Sequence, residues 1–180
     1  MSKSLTIRFI GLVVLLSSML YCQADTETYP QPWPQFIQNN TEAWLQSPPL
    51  TTQDFRGKVV LMDIWTFACW NCYRSFPWLN NVQAKYQTEG LAVLGIHSPE
   101  FAYEKMPESV IKKMQEFQLH HPAMLDNDFR YWRALNNRYW PTFYLIDKQG
   151  QIRYRFVGET HANTPKAQKI EKVIETLLAE

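Results

Sequence analysis

The sequence predicts an α/β fold, a three-layer sandwich in which a mixed central sheet carries helices on both faces. Two continuous apolar runs, Val59–Trp65 and Leu91–His97, are typical of central strands that are covered on both sides. A segment with helical spacing of apolar residues follows each run, and this alternation favours a layered architecture. With 180 residues, the chain has about the size of one domain and can bury a substantial core.

The N-terminal residues indicate a transport signal. Residues 1–24 begin with Lys3 and Arg8, continue with an apolar stretch and end in a small residue before Asp25, which is typical of a secretory signal. The apolar stretch is shorter than the ~20 residues of a normal membrane-spanning helix, and an uncleaved anchor is the alternative. The signal predicts an extracytoplasmic protein, and a bacterial periplasm is the expected compartment.

Residues 25–41 predict an extended leader in front of a domain at 42–180. The stretch up to Pro49 is rich in proline, glutamine, asparagine and threonine, which disfavours a regular helix. Apolar side chains are expected to anchor this N-terminal extension on the domain: Trp33, Phe36, Trp44 and Leu45.

From Lys58 onwards, strands and helices are predicted in alternation. The strand Val59–Trp65 is followed by a helix that ends at Glu89-Gly90, and the strand Leu91–His97 comes next. A helix is then expected over Pro107–Leu119, with Val110, Ile111, Met114 and Phe117 on one face, followed by a short strand over Pro122–Leu125 and a short helix over Asp128–Asn136. A strand over Thr142–Asp147 and a half-exposed antiparallel strand over Gln151–Val157 come next, and in the second of these Ile152, Tyr154 and Phe156 alternate with arginines. The last helix is expected to start at Thr164-Pro165.

The most informative motif is Cys69-Trp70-Asn71-Cys72, between the first central strand and the helix that follows it. Cys22 falls in the predicted signal, so the mature chain would keep two thiols three positions apart. A disulfide between them closes too short a loop to restrict the unfolded chain much, which argues against a structural role. Because a helix start stabilises a thiolate, we expect Cys69 to attack and Cys72 to resolve the mixed disulfide. Trp70 and Asn71 are expected to tune the redox potential.

Other positions fit the same chemistry. Asp63 interrupts an apolar strand six residues before the first cysteine, so its carboxyl should be desolvated, with a raised pKa, and able to exchange a proton with the second thiol. Pro77 lies inside the following helix, where a kink is expected. Trp140-Pro141-Thr142 precedes a strand, where proline can form a tight cis turn that faces the thiols. Glu100 follows the second strand; it either approaches this end of the sheet or is a solvated loop acid, which is the commoner case.

Charge and ligand spacing argue against two other classes of function. The net charge of +1 provides no field that would attract nucleic acid. His120 and His121 are adjacent rather than three to five positions apart, and a second cysteine pair is missing, so a zinc site is not predicted. We expect neither a metal nor another cofactor.

The order of these motifs resembles that of the thioredoxin-like superfamily over roughly residues 42–180. The resemblance rests on the run 60–65, the two cysteines, Pro77, the segment 141–146, Gly150 and Gly158. The longer stretch between His97 and Arg138 resembles the central insert of extracytoplasmic relatives of the TlpA/ResA type. The resemblance implies a thioredoxin-like fold, thiol–disulfide exchange, a cis bond before Pro141 and a buried proton-handling role for Asp63.

Shorter segments resemble the soluble thioredoxin-like domain of DipZ-type cytochrome c biogenesis proteins. They are residues 44–50, 56–61, 65–67, 95–101, 125–128 and 137–141. We therefore expect a reductase of protein disulfides, with apocytochrome c among its targets, and a substrate groove lined by Trp140 and Thr142. The resemblance also implies that this chain departs from that type by lacking its membrane-embedded electron-carrying domain, so a separate membrane electron donor is expected. Membrane contact is expected only if the N-terminal segment stays uncleaved.

Other functions stay open at this point. An oxidase of the same superfamily would pass electrons in the opposite direction; the lack of histidine between the cysteines favours a reductant. A copper-handling module would use both sulfurs as soft ligands, with His161 or His121 as a distant third ligand. The segment Thr66–Cys69 also matches a peroxidatic motif, but Met62 stands where that motif has proline.

Overall fold

The computed structural model describes residues 29–180, so the predicted signal at 1–24, with Cys22, lies outside the described residues. Among the described residues, seven strands form one sheet: β1 (Gln31–Pro32), β2 (Trp44–Leu45), β3 (Val59–Trp65), β4 (Leu91–His97), β5 (Ala123–Leu125), β6 (Thr142–Ile146) and β7 (Gln151–Val157). Their order across the sheet is β1-β7-β6-β3-β4-β5-β2. The pairs β3/β4 and β4/β5 are parallel and the other four pairs are antiparallel, which makes the sheet mixed, as predicted.

Four α-helices are found in the same part of the chain: α1 (Trp70–Tyr86), α2 (Pro107–Glu116), α3 (Arg130–Ala134) and α4 (Pro165–Ala179). Helices α1, α2 and α4 pack on one face of the sheet, together with Leu61 and Trp65 of β3. Helix α3 and the segment before β3 pack on the other face, against Val60 and Met62. Because successive side chains of a strand point to opposite faces, one apolar strand supplies both cores. The predicted α/β sandwich is confirmed. None of these helices has the length and apolarity needed to cross a membrane.

The two central strands have the predicted bounds, but helix α2 differs from the prediction. It ends at Glu116 rather than at Leu119, and Ile111, which was expected on the apolar face, is 39% exposed. Val110 and Met114 are spaced four positions apart and fill the contact with the core. Since neighbouring helix residues are rotated by about 100°, this orientation turns Ile111 towards solvent.

The alternation expected in β7 is interrupted by a bulge. Leu145 pairs with Tyr154, whereas Ile146 pairs with Ile152, so Arg153 is an extra residue in β7. Ile152 therefore joins the core on the α3 face, while Phe156 packs on the α1 face. The prediction that these side chains share one face is wrong.

The segment before β3 belongs to the packed structure. Strand β1 pairs with β7, and β2 pairs with β5. Trp33 is 4% exposed, and the ring of Phe36 lies edge-on to the rings of Trp33 and Trp44, with centroids 5.2 and 5.3 Å away. The expected aromatic anchors are confirmed. The predicted boundary at residue 42 does not separate two packing units, because Trp33 lies in the same core as Val60 of β3.

Candidate active site

Cys69 is the N-cap of α1, and Cys72 lies one turn into the helix. The backbone of Cys69 is extended (φ −77°, ψ 109°), and its Sγ accepts a hydrogen bond from the Cys72 N–H at 3.2 Å. The sulfur thus takes the place that a side-chain oxygen has in an ordinary N-cap. Both residues are free thiols in this structure; Cys69 is partly exposed and Cys72 is fully buried. Helix α1 continues through Pro77 without interruption.

The two thiols have opposite pKa shifts. A hydrogen bond donated by the Cys72 thiol, followed by the N–H groups of Cys72 and Asn71, lowers the pKa of Cys69 from its ordinary 9.0, although partial burial and the charge of Glu100 oppose this. Burial raises the pKa of Cys72 well above 9.0, and its hydrogen bond to Cys69 and the charge of Asp63 add to the effect. Negative charge is therefore stabilised on the exposed sulfur, and the proton is retained on the buried one.

Asp63 lies in the middle of β3, on the face that α1 covers. It is 1% exposed and stands opposite Gly95 of β4 and Phe143 of β6. Burial, followed by the negative charge of Cys69, raises the pKa of Asp63 well above its ordinary 3.8. Its Oδ1 has no hydrogen-bond partner among the described residues. The expected desolvation and raised pKa are confirmed, and the role of Asp63 in proton transfer stays a prediction.

The loop before β6 contains the predicted cis bond, between Trp140 and Pro141. Trp140 is half-buried; its ring centroid lies 4.3 Å from that of Trp132, and its Nε1 donates a hydrogen bond to the Ser98 carbonyl at 3.0 Å. Thr142, expected to line the substrate groove, is fully buried, and its hydroxyl donates to a main-chain carbonyl of this loop at 2.7 Å. The expectation for Thr142 is wrong, because this residue begins β6, pairs with β3 on one side and β7 on the other, and has no exposed surface.

Trp70 and Asn71 are both exposed between the cysteines. Trp70 is 65% exposed, and its ring centroid lies 5.3 Å from that of Tyr73. The Asn71 carbonyl accepts a hydrogen bond from the Ser75 hydroxyl at 2.8 Å. A groove of about 250 Å³ opens beside Cys69; its walls include Phe67, Trp70, Tyr73, Lys113, Glu116 and Phe117. A second groove of about 460 Å³ shares three of these residues and continues along α1.

Sequence reasoning did not single out Glu104, which the structure places between the loops next to the cysteines. Its carboxylate is fully buried. It accepts hydrogen bonds from the N–H groups of Ala68, Glu100 and Phe101, each at 2.8 Å, and from the Thr66 hydroxyl. These contacts join the segment before α1 to the segment after β4.

A local signal for Glu104 exists in the sequence. The residue is the third position of a 3₁₀ turn (Ala102–Lys105) whose N-cap is Phe101, and a glutamate at that position is typical of helix capping. Glu100 is exposed, and its charge raises the pKa of Cys69. The role of Glu100 at this end of the sheet stays a prediction.

The histidines near the site are buried or paired. Burial lowers the pKa of His97 to about 3 and that of His121 to about 4, so both are neutral near pH 7. The ring of His97 stacks on Phe67, with centroids 5.7 Å apart. His161 pairs with Glu159. Within residues 29–180, no group of three or more His, Cys, Asp or Glu side chains is placed to hold a metal ion.

Comparisons with known proteins identify relatives of this chain. The Redoxin family model matches residues 33–174. DipZ of Mycobacterium tuberculosis is 42% identical over 123 residues, which cover 67% of this chain and 18% of DipZ. The thiol-disulfide oxidoreductase YkuV of Bacillus subtilis is 28% identical over 150 residues, which cover 83% of this chain and 96% of YkuV. The solution structure of a thioredoxin-like protein in the oxidized form matches with a TM-score of 0.70 and 28% identity, over 83% of this chain and 96% of that one.

These matches differ in how much of the relative they cover. This chain spans 18% of the length of DipZ, so the similarity concerns one part of that protein. The similarity to YkuV extends over almost the whole of YkuV. The fold is thioredoxin-like, as the resemblance in sequence implies. Since the family model covers well over half of the residues, the chain belongs to the Redoxin family.

Proposed function

We propose that this protein is an extracytoplasmic thiol–disulfide oxidoreductase that reduces disulfides in other proteins. The observation that carries the proposal is the pairing of a partly exposed Cys69, whose pKa is lowered, with a buried Cys72, whose pKa is raised. A two-step exchange needs this difference, because one sulfur must be ionised at the surface while the other waits in its protonated form. The similarity to YkuV supports the same reaction class.

The exchange moves two electrons from the dithiol to the target. The Cys69 thiolate attacks one sulfur of the target disulfide, and the other target sulfur leaves as a thiolate that takes a proton from solvent. Cys72 then gives its proton to Asp63, directly or through one water, and attacks the sulfur of Cys69. The second target sulfur leaves as a thiolate, and Cys69 and Cys72 are left as a disulfide. A separate electron donor, which we place in the membrane, must restore the dithiol.

Asp63 suits the role of proton acceptor because of its environment. A carboxyl with an ordinary pKa would be a weak base towards a thiol, and burial raises the pKa of Asp63. A higher pKa of Asp63 narrows the difference between the pKa of the acceptor carboxyl and that of the donor thiol, Cys72, which makes proton transfer easier.

The grooves beside Cys69 suit an extended polypeptide segment of the substrate. Exposed aromatic side chains border them, with Trp70 and Tyr73 65% and 44% exposed. Rigid aromatic surfaces of this kind bind apolar side chains at low cost in conformational entropy. The targets that we propose are secreted proteins with a disulfide in an unfolded segment, and apocytochrome c is one of them.

Insulin reduction tests the proposed activity. The purified chain with dithiothreitol should precipitate insulin B chain much faster than dithiothreitol alone, and Cys69→Ser and Cys72→Ser should remove the acceleration. Cys22→Ser is the matched control and should keep it. Lack of acceleration by the unaltered chain would contradict the proposal. Cys72→Ser should also accumulate mixed disulfides on Cys69, and mass spectrometry of the trapped proteins then identifies the substrate class.

The direction of electron flow is measured separately. Equilibration with glutathione buffers should give a reduction potential nearer to the roughly −270 mV of thioredoxin than to the roughly −120 mV of a strong oxidant. A value at the oxidising end would replace the reductase by the oxidase.

A further inference from the structure

Glu104 is a carboxylate held in the interior by four neutral donors. Its side chain has no exposed surface. One oxygen accepts hydrogen bonds from the Thr66 hydroxyl and the Ala68 N–H, and the other accepts from the N–H groups of Glu100 and Phe101. Burying a carboxylate is costly unless its oxygens are well supplied with donors. Three main-chain N–H groups and a hydroxyl meet that requirement and fix both oxygens in place.

The four donors belong to two segments that Glu104 joins, and one of these segments leads into the attacking thiol. Thr66 and Ala68 lead directly into Cys69, whose own N–H donates to the Thr66 carbonyl at 3.3 Å. Glu100 and Phe101 belong to the segment that follows β4. Glu104 therefore holds the main chain before the sulfur and the main chain that carries the Glu100 carboxylate in one fixed arrangement.

The placement of Glu100 has a chemical consequence. Its side chain is exposed and its charge opposes ionisation of Cys69, which raises the pKa of that thiol. If Glu100 lay on a loop that could move freely, solvent would screen its charge, and that charge would have little effect on the pKa of Cys69. Here the N–H of Glu100 is bonded to the same carboxylate that binds the N–H of Ala68, the neighbour of Cys69.

We propose that Glu104 is a positioning residue that sets the separation between the Glu100 carboxylate and the Cys69 sulfur, and thereby tunes the nucleophilicity of the thiol. This role rests on the proposed function, in which Cys69 is the attacking thiol. Glu104 acts through the main chain of both segments and does not itself touch the substrate.

A double-mutant cycle on the full chain tests this coupling. The rate of Cys69 alkylation by iodoacetamide is measured near pH 6.5 on the reduced protein, with peptide mapping to separate Cys22, Cys69 and Cys72. Glu100→Gln should speed alkylation of Cys69 by about two- to threefold, because it removes a nearby negative charge. Glu104→Gln keeps the size of the side chain but points an amide N–H₂ at N–H donors. In that background, Glu100→Gln should change the rate by less than about 1.3-fold.

Control variants show whether Glu104 positions Glu100 specifically or only stabilises the fold. Glu108→Gln makes the same chemical change at an exposed position of α2 and should leave the effect of Glu100→Gln intact. An equal effect of Glu100→Gln with and without Glu104 would overturn the proposal. If Glu104→Gln does not fold, Thr66→Val takes its place and removes one of the four donors. The effect of Glu100→Gln on the alkylation rate should be smaller in that background, and an unchanged effect would also overturn the proposal.

The alkylation cycle needs no disulfide substrate, so it fails independently of the proposed function. An equal effect of Glu100→Gln with and without Glu104, together with normal insulin reduction, would remove the role of Glu104 alone. An effect of Glu100→Gln that is lost without Glu104, in a protein that does not reduce insulin, would remove the reductase and leave Glu104 as the residue that positions Glu100.

Discussion

At the scale of single residues, the burial of Asp63 affects the stability of the protein as well as the proton transfer that we propose for this residue. Folding raises the pKa of Asp63 above its ordinary 3.8, so the folded protein keeps a proton that the unfolded chain has already lost. The contribution of this group to stability is complete below about pH 4 and is lost as the pH rises towards the pKa of the folded state. At neutral pH, a buried carboxyl is therefore a cost to the fold.

We expect Asp63→Asn to be more stable than the unaltered protein near neutral pH, because the amide has no proton to lose. The melting temperature should rise by on the order of 5 °C near pH 7.5, and the gain should shrink as the pH approaches 4. Calorimetry of the reduced proteins measures it. Asp128→Asn is the control of opposite sign, since hydrogen bonds and the Arg130 charge lower the pKa of Asp128. A gain for Asp63→Asn that is independent of pH would contradict the linkage.

The same substitution should slow the second step of the exchange. Without the carboxylate, Cys72 has to lose its proton to solvent from a buried position. The rate at which the reduced target is released should therefore fall by about 10²-fold or more. Stopped-flow decay of a mixed disulfide on Cys69 measures this step. Unchanged decay would exclude Asp63 as the proton acceptor.

The two thiols should differ in reactivity. At pH 7, iodoacetamide should modify Cys69 at least ten times faster than Cys72, because Cys69 is partly exposed with a lowered pKa and Cys72 is buried with a raised one. Peptide mapping over time measures both rates. Equal rates close to that of free cysteine would contradict the assignment of attacking and resolving sulfurs.

Single residues were predictable where they broke a clear pattern. Asp63 stands out as one acid in an apolar strand, and the two cysteines stand out by their spacing. Glu104 does not, because a glutamate in a polar loop is usually solvated, and its donors come from segments far apart in sequence. Thr142 was misread because its burial depends on two strands that flank it only in the folded sheet.

At the scale of elements, the start of α4 is set by a local cap. The Thr164 hydroxyl accepts a hydrogen bond from the Ala167 N–H at 3.2 Å, and Pro165 occupies the first helical position. Both features were predicted from the sequence, since they involve residues within one helical turn.

Removal of this cap should lower stability without affecting the thiols. Thr164→Ala should reduce the free energy of unfolding by about 1 kcal/mol, because an N–H at the helix start loses its partner. Urea denaturation followed by circular dichroism measures the change. Thr176→Ala, at an exposed position within the same helix, is the matched control and should change stability by less than about 0.5 kcal/mol. Equal losses in both variants would show that the cap contributes nothing.

The predicted elements were accurate where the local sequence determines them and inaccurate where contacts with distant segments do. β3 and β4 are apolar along most of their length, so their bounds could be derived from the sequence to the residue. The orientation of α2, which exposes Ile111, and the bulge that separates Ile152 from Phe156 arise from packing against distant segments. No local pattern in the sequence encodes that packing.

At the scale of the whole molecule, the N-terminal segment completes the second core. Trp33 contacts the rings of Phe36 and Phe55, with centroids 5.2 and 5.5 Å away, and lies in the same cluster as the α3 face of β3. The sequence indicated the anchoring side chains. Its proline-rich composition, however, fits an extended leader as well as an extension that packs on the domain, and only the contacts in the structure distinguish the two.

Truncation of this anchor should destabilise the whole protein. Trp33→Ala should lower the free energy of unfolding by about 3–5 kcal/mol, because it leaves a cavity under residues that cannot close around it. Tyr139→Ala, at a side chain that is 57% exposed, is the matched control and should cost far less. Denaturant titration of both variants measures the difference. A small loss for Trp33→Ala would mean that the extension is dispensable for folding.

The two shortest strands, β1 and β2, occupy the outer positions of the sheet. An enzyme that handles unfolded polypeptides risks having them add to an open row of main-chain donors and acceptors, which is how strands aggregate. Here one edge is closed by Trp44–Leu45 and the other is shortened by Gln31–Pro32, where proline offers no N–H and the neighbouring β7 carries arginines. Under the proposed function, an unfolded substrate finds no long open edge of the sheet to pair with, and the surface beside Cys69 is left to bind it.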